Sequence, residues 1–287
     1  MNLNCNALLL WWMWIWKLTC ITAPTKAAFL HTSRTVVLRR TLATISMEES
    51  ADIEVNIRDN LLDVRDRMER SCIGRSVDNV RLVAVSKTKP LSFVKEAYAN
   101  GQRIFGENYV QELEEKAKSI EESDIVWHFI GGLQSNKTSK LLKNVLPHGK
   151  LVVETVGSAK VANKLNNAMA NFDFAVPLDV FVQVNTSDEE SKNGVSVEEA
   201  VTLCKHIVNS CELLKLKGIM TIGAKLDSSC FDKLANCRQS VADALLVDPI
   251  EIELSMGMSG DFEKAIAKGS TNIRVGSTIF GQRDYTK

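Results

Sequence analysis

Residues 81–112 read RLVAVSKTKPLSFVKEAYANGQRIFGENYVQE, and this stretch contains the repeating unit of the whole fold. A short β-branched run, Arg81–Val85, precedes a segment with helical patterning, and a second run at 103–105 precedes another helical segment at 109–120. Similar apolar runs recur further along the chain at 126–130, 151–156, 178–184, 216–221, 251–254 and Asn272–Val275. Strands that alternate with helices indicate a parallel sheet with crossover connections.

Eight strands, each followed by a helix, predict a single (βα)₈ TIM barrel over residues 48–287. An extra amphipathic helix at about 53–71 is predicted before the first strand. Its apolar positions are Ile57, Leu61, Leu62, Val64 and Met68. A doubly wound open sheet is the alternative, but no Gly-x-Gly-x-x-Gly motif follows any of the strands. Three serines are expected to cap helices, namely Ser135, Ser158 and Ser196.

Charge and cysteine usage exclude several protein classes. The chain has 35 basic and 35 acidic side chains, so it lacks the basic excess of a nucleic-acid-binding protein, and we expect no nucleic-acid partner. Its seven cysteines form no Cys-x-x-Cys pair and none lies at zinc-ligand spacing from a histidine. We therefore expect reduced thiols and no metal site. The acidic run at 187–194 is interpreted as a solvated loop, because its consecutive acids do not converge on one face.

Residues 1–47 differ in composition from the rest of the chain. They contain five basic residues, no acidic ones and four of the five tryptophans. Two apolar runs, at 7–16 and 18–23, are separated by Lys17. A charge near the middle of the segment makes a membrane-spanning helix marginal. The segment at 31–46 is rich in Arg, Ser and Thr, as organelle transit peptides are. We expect this segment to be a leader and the protein to be cytoplasmic, mitochondrial or both, with import if the leader is translated. Any membrane contact would be made through the leader alone, and Met47 is an alternative start.

The loops after the predicted strands carry most of the chemistry, because a TIM barrel builds its site at the carboxyl ends of its strands. Two loops rich in glycine and hydroxyl side chains follow the seventh and eighth strands, at 255–261 and 276–281. Their amides, with hydroxyls from Ser259, Ser277 or Thr278, could bind a phosphate group. The alternative is that these small residues only form turns.

Lys87 follows the first predicted strand, from which it is separated by one residue, Ser86. It shares the parity of Val83 and Val85, so its amine projects from the barrel mouth if those valines point inward. Partial burial and the neighbouring cation of Lys89 would lower the pKa of this amine and raise its nucleophilic fraction. A lysine that can form a Schiff base opposite a phosphate site is what pyridoxal 5′-phosphate requires. The alternative is a solvated surface lysine.

His128 is the one histidine for which two interpretations compete. It lies in the third predicted strand, between Trp127 and Phe129. It could act as an acid-base group, but a hydrogen-bonded core histidine is the preferred interpretation.

Seven short motifs occur in order from the first predicted strand to the last. They are VAVSKTKP (83–90), FGENYVQE (105–112), WHFIG with LQ (127–131 and 133–134), QVNTS (183–187), MTIG (220–223), LSMGMS (254–259) and RVGSTIFG (274–281). Together they resemble the pyridoxal phosphate homeostasis protein family, which has an alanine-racemase-like barrel. The resemblance runs from about residue 50 to the C-terminus and leaves only the leader outside.

The resemblance implies a role for each residue that the motifs share with the family. Lys87 would form the Schiff base with pyridoxal phosphate, Asn108 would lie beside the cofactor, and Arg274 would lie at the pyridine nitrogen. Phosphate contacts would come from Ser259, Gly276 and Ser277. The implied protein has no catalytic residue. It is expected to be a monomer that supplies or buffers pyridoxal phosphate in the cell, with pyridoxal-phosphate-dependent apo-enzymes as recipients.

Two enzyme classes remain as alternatives. A pyridoxal-phosphate-dependent racemase or decarboxylase could use the same barrel, but a racemase needs a second base. Alanine racemases take that base from an added β-domain of the partner subunit, and only six residues follow Gly281. Arg274 can donate to a pyridine nitrogen but cannot accept its proton, so the ring would be a poorer electron sink. The second alternative is a sugar-phosphate enzyme that uses Lys87 without a cofactor.

Overall fold

The computed structural model describes residues 55–282, apart from 173–175, 188, 190–192 and 225–226. Eight parallel strands close into one barrel in the order β1 to β8. They are β1 (Arg81–Val85), β2 (Ile104–Glu107), β3 (Val126–Phe129), β4 (Lys150–Val156), β5 (Leu178–Gln183), β6 (Leu214–Met220), β7 (Glu253–Met258) and β8 (Asn272–Val275). β1 pairs with both β2 and β8, which closes the barrel. The predicted TIM barrel is confirmed.

An α-helix follows every strand within the described residues, and one more precedes β1. They are α1 (Ile57–Ser71), α2 (Leu91–Ala99), α3 (Val110–Lys118), α4 (Thr138–Val145), α5 (Ala159–Met169), α6 (Val197–Ser210), α7 (Ser229–Leu245), α8 (Phe262–Ala267) and α9 (Ser277–Phe280). Ser158 and Ser196 cap α5 and α6 as predicted. The prediction for Ser135 is wrong, because its carbonyl accepts a hydrogen bond from the Thr138 hydroxyl and Lys137 is the residue before α4.

Helix α1 covers the side of the barrel where β8 ends. Four of its predicted apolar positions are buried, namely Ile57, Leu61, Val64 and Met68. The fifth, Leu62, is 53% exposed, because adjacent helical residues point about 100° apart around the axis. The Asn60 side chain donates a hydrogen bond to the Ile279 carbonyl at 2.9 Å, which fixes α1 against α9.

Two strands extend well beyond the carboxyl ends of their predicted apolar runs. Strand β7 runs over Glu253–Met258, so much of the predicted loop at 255–261 is strand. The start of the predicted run is instead a 3₁₀ turn at Pro249–Glu251, capped by the Asp248 side chain. Strand β2 continues to Glu107, which was predicted to lie in a loop. Buried polar side chains at these strand ends, Glu107 in β2 and Ser255 in β7, interrupt the apolar pattern.

The apolar core lies mainly between the strands and the surrounding helices, where Phe105 and Trp127 pack with ring centroids 5.8 Å apart. The five cysteines among the described residues are all free thiols, which confirms that prediction for them. None of the helices in the described ranges has the length and hydropathy needed to cross a bilayer. The leader at 1–47 lies outside the described residues, as does part of the acidic run at 187–194.

Candidate functional site

The carboxyl ends of β1, β2 and β8 meet at one end of the barrel and bring three predicted site residues there. Half-buried Lys87 follows β1. Asn108 follows β2 and Gly276 follows β8, and both of those strands pair with β1. A Cβ added at Gly276 would lie 3.1 Å from the Val85 carbonyl oxygen and 3.3 Å from its Cβ. The loop after β8 therefore packs directly against the end of the strand that carries Lys87.

The loops after β7 and β8 are joined by hydrogen bonds at the predicted phosphate site. The Ser259 hydroxyl oxygen accepts from the Gly276 amide at 3.1 Å and from the Thr278 amide at 3.5 Å. Ser277, between those amides in the chain, is exposed and is the first residue of α9. Two backbone N–H groups that share one oxygen acceptor form the kind of concavity that binds anions. The structure thus brings Ser259, Gly276 and Ser277 together, as the sequence predicted.

Asn108 has a buried side-chain oxygen for which the described residues offer no hydrogen-bond donor. Its backbone is held by close packing, since a Cβ added at Gly131 would come within 1.9 Å of the Asn108 carbonyl oxygen. A buried acceptor without a donor costs about 1–3 kcal/mol. Asn108 is therefore fixed in place and able to accept a hydrogen bond from another molecule.

Arg274 lies inside the barrel with 4% of its surface exposed. Its guanidinium donates to the Ser255 hydroxyl at 2.5 Å and to the Thr221 carbonyl at 2.7 Å. Burial lowers the pKa of Arg274 from its usual value, and the nearby Glu154 carboxylate opposes that change. A guanidinium has five N–H donors, so these two hydrogen bonds leave donors for a ligand.

Glu154 and His128 form the centre of a buried polar network in the barrel interior. His128 Nδ1 lies 2.5 Å from Glu154 Oε1, and Asn272 and Ser255 also donate to this carboxylate. Burial favours the neutral acid, but the hydrogen bond and charge of His128, with Arg274, lower the pKa of Glu154 to about 2. The interpretation of His128 as a hydrogen-bonded core residue is confirmed. Glu154 was not predicted as a site residue, although a single acid within an apolar strand is a usable sequence signal.

A second buried network, also missed, lies beneath the Lys87 loop. Glu107 is fully buried and accepts hydrogen bonds from the Ser86 hydroxyl at 2.6 Å and from the Lys116 ammonium at 2.7 Å. Burial raises the pKa of Glu107 to about 7, although the charge of Lys116 opposes the rise. Lys116 shares the buried face of α3 with Leu113 and Ala117. A lysine on an apolar helix face was the sequence signal for this network.

A cavity of about 450 Å³ lies at the other end of the barrel, where the strands begin. Arg81, Ile104, Val126 and Lys150, at the starts of β1 to β4, are among its lining residues. None of the predicted site residues lines it. The cavity is therefore separate from the candidate site, which is predicted at the carboxyl ends of the strands, where Lys87 lies.

Comparisons with known proteins agree with this geometry. The model of the family "Alanine racemase, N-terminal domain" matches residues 55–284. The pyridoxal phosphate homeostasis protein of Mus musculus is 44% identical over 252 residues, which cover 83% of this chain and 91% of the relative. That of Haemophilus influenzae is 42% identical over 241 residues, covering 81% and 98%. The solved structure of PipY of Synechococcus elongatus with pyridoxal phosphate bound is 30% identical, with a TM-score of 0.64, and covers 78% of this chain and 100% of PipY.

Proposed function

Because the chain belongs to the pyridoxal phosphate homeostasis protein family, we propose that it binds pyridoxal 5′-phosphate as a Schiff base on Lys87 and takes part in cellular supply and buffering of this cofactor. The observation that carries the proposal is the contact of the Gly276 loop with the end of β1. This contact brings the loop that carries the Gly276 amide beside the end of β1, two residues before Lys87. An amine and a group of anion-binding amides on neighbouring strand ends would suit the aldehyde and the phosphate of the cofactor.

The phosphate group of pyridoxal phosphate would fit the loops after β7 and β8. The Gly276 and Thr278 amides already donate to an oxygen, that of Ser259. A phosphate oxygen is a stronger acceptor than a hydroxyl, because charge-assisted hydrogen bonds are roughly twice as strong as neutral ones. The hydroxyls of Ser259 and Ser277 can donate to the same anion. No side chain has to leave a buried position for this site to accept phosphate.

The pyridine ring of pyridoxal phosphate would fit beside Asn108 and Arg274. The buried oxygen of Asn108 needs a donor that the described protein groups do not supply. Arg274 keeps unused N–H donors on a guanidinium held by Ser255 and Thr221. These donors suit a ring nitrogen that carries a lone pair and no proton. The Arg274 side chain and the Asn108 backbone are both held by protein contacts, so these residues can orient a ligand ring.

The presence of Arg274 at the ring nitrogen would favour cofactor binding without catalytic turnover. Bound pyridoxal phosphate supplies an aldehyde for amines and a ring that can withdraw electrons from a substrate carbon. Arg274 stays protonated and cannot deliver its proton to the ring nitrogen, so the electron-withdrawing capacity remains low. Glu154, which could supply a proton, is ionised and engaged by His128 and Ser255. A racemase or decarboxylase on the same barrel is the competing proposal.

Partners and location complete the proposal. Pyridoxal-phosphate-dependent apo-enzymes would receive the cofactor from a monomer of this protein. Residues 1–47 would direct part of the protein to mitochondria, with the remainder in the cytoplasm. The support is compositional, namely the lack of acidic residues and the abundance of Arg, Ser and Thr in that segment.

Two measurements on the full-length protein test the proposed function. The first is the absorbance spectrum after pyridoxal phosphate is added and excess cofactor is removed. A retained visible band supports the Schiff base, and its absence would favour a sugar-phosphate enzyme that needs no cofactor. The second is exchange of the α-hydrogen of alanine in D₂O, followed by nuclear magnetic resonance. We expect no exchange above that caused by free pyridoxal phosphate, and protein-dependent exchange would favour an enzyme.

A further inference from the structure

Lys116 lies in α3 directly beneath the loop that carries Lys87. Its ammonium donates to the Ser86 carbonyl at 2.7 Å, to Glu107 Oε1 at 2.7 Å and to Glu112 Oε1 at 2.8 Å. An ammonium has three N–H donors, so all three are used. Lys116 is only 6% exposed. It is thus unavailable as a nucleophile. Its contacts join α3 to the end of β2 and to the loop after β1.

These contacts reach the backbone on both sides of Lys87. Lys116 binds the carbonyl of Ser86, the residue before Lys87. The same Glu112 oxygen that binds Lys116 also accepts from the amide of Thr88, the residue after Lys87, at 2.6 Å. The Ser86 side chain adds a bond to Glu107. The backbone that flanks Lys87 is therefore fixed on both sides by one buried cluster.

Thr88 shows why such a cluster is needed. Its φ is 61°, in the left-handed region that costs a non-glycine residue roughly 1–2 kcal/mol. That conformation reverses the chain immediately after Lys87. The hydrogen bond from the Thr88 amide to Glu112 holds the turn, and Lys116 holds Glu112. Without Lys116, the carboxylates of fully buried Glu107 and half-buried Glu112 would also lose the cation that they share.

We propose that Lys116 is a positioning residue for Lys87, which it acts on by fixing the Ser86 carbonyl and, through Glu112, the Thr88 amide. This inference rests on the proposed function, because it assigns a purpose to the exact placement of the Lys87 amine. Attack on an aldehyde needs a defined approach, and a misplacement of about 1 Å can slow such a step roughly a hundredfold. Lys116 does not touch the cofactor in this account.

The test is the rate at which full-length protein, stripped of cofactor, forms its visible band after rapid mixing with pyridoxal phosphate. We expect Lys116→Met to slow band formation by roughly tenfold to a hundredfold. Glu112→Gln should slow it less, because the amide oxygen can still accept from Thr88. Lys118→Met is the matched control, since Lys118 is exposed in the last turn of the same helix, and it should react at the wild-type rate.

A second readout separates positioning from general damage. Inorganic phosphate competes for the loops after β7 and β8, so its inhibition of cofactor binding reports on the rest of the site. We expect unchanged phosphate inhibition in Lys116→Met alongside slow band formation. If Lys116→Met does not fold, Glu112→Gln decides the question. Wild-type rates in the variants that fold would overturn the inference. A wild-type protein that forms no band would instead overturn the proposed function.

Discussion

The amide of Gly276 donates a hydrogen bond to the hydroxyl of Ser259 at 3.1 Å, across the boundary between the loops after β7 and β8. The two residues are 17 positions apart in the chain and come from adjacent strands. An amide that meets an oxygen at a shared loop boundary is ready to meet a phosphate oxygen. This contact links the fold to the proposed function, because closure of the barrel places Gly276 against the β1 end that precedes Lys87.

Removal of the Ser259 hydroxyl should weaken cofactor retention. Each charge-assisted hydrogen bond contributes roughly 1.5–3 kcal/mol, so Ser259→Ala should raise the dissociation constant about tenfold to a hundredfold. The visible band should persist at saturating pyridoxal phosphate, since Lys87 is intact. Equilibrium dialysis measures the change, with Ser210→Ala at the exposed end of α6 as the control. Unchanged affinity in a Ser259→Ala, Ser277→Ala double variant would place the phosphate elsewhere.

Glu107 should make stability depend on pH in a predictable direction. Its pKa is raised by burial to about 7 from an ordinary value of 4.5, so the folded state binds this proton more tightly than the unfolded chain does. The resulting stabilisation is complete below about pH 4.5 and is lost as the pH rises through 7. Glu107→Gln should remove a slope of at most about 1.4 kcal/mol per pH unit between those values.

Urea unfolding at several pH values between these limits checks the Glu107 prediction. Glu115→Gln is the control, because Glu115 is an exposed acid on α3, the helix that follows the strand of Glu107, and this variant should keep the wild-type slope. The prediction fails if Glu107→Gln and the wild-type protein lose stability equally as the pH rises.

Glu154 should be far more important for stability than any exposed acid. Glu154→Gln removes the one carboxylate that the described residues bring within 4 Å of buried Arg274, and loss of one partner from a buried ion pair costs about 3–5 kcal/mol. Asp63→Asn, which breaks an exposed pair with Arg67, should cost less than about 1 kcal/mol. The free energy of unfolding in urea compares the two. Similar small losses in both variants would show that the network is not needed to hold Arg274.

Residues 1–47 should be dispensable for cofactor binding. The family match begins at residue 55, and all eight strands follow it. We expect a protein of residues 48–287 to be soluble and coloured with pyridoxal phosphate, and to lose any mitochondrial fraction seen for the full-length chain by fluorescence imaging. Insoluble or colourless truncated protein would mean that the leader contributes to the fold. An unchanged distribution would contradict its proposed role in targeting.

The sequence predicted the barrel because β-branched runs alternate regularly with amphipathic helices, and β1 and β8 were predicted with their observed bounds. It predicted that Lys87, Asn108 and Gly276 lie at one end of the barrel, because the carboxyl ends of parallel strands converge by topology alone. It failed where buried polar residues interrupt the pattern. Glu107 was assigned to a loop, and Lys116 was overlooked because a lysine on a helix is ordinarily solvated. Their pairing depends on a contact between α3 and the β1 loop, which periodicity does not encode.

Mapping of the borohydride-reduced adduct would show which lysine holds the cofactor. Borohydride would fix pyridoxal phosphate to its lysine in full-length protein, and mass spectrometry of the digest would identify that lysine. We predict a single adduct on Lys87. Lys87→Ala should lose both the adduct and the visible band yet keep its thermal unfolding midpoint, because Lys87 is half-buried in a loop. An adduct on Lys89 or Lys137, or a Lys87→Ala protein that stays yellow, would contradict the account.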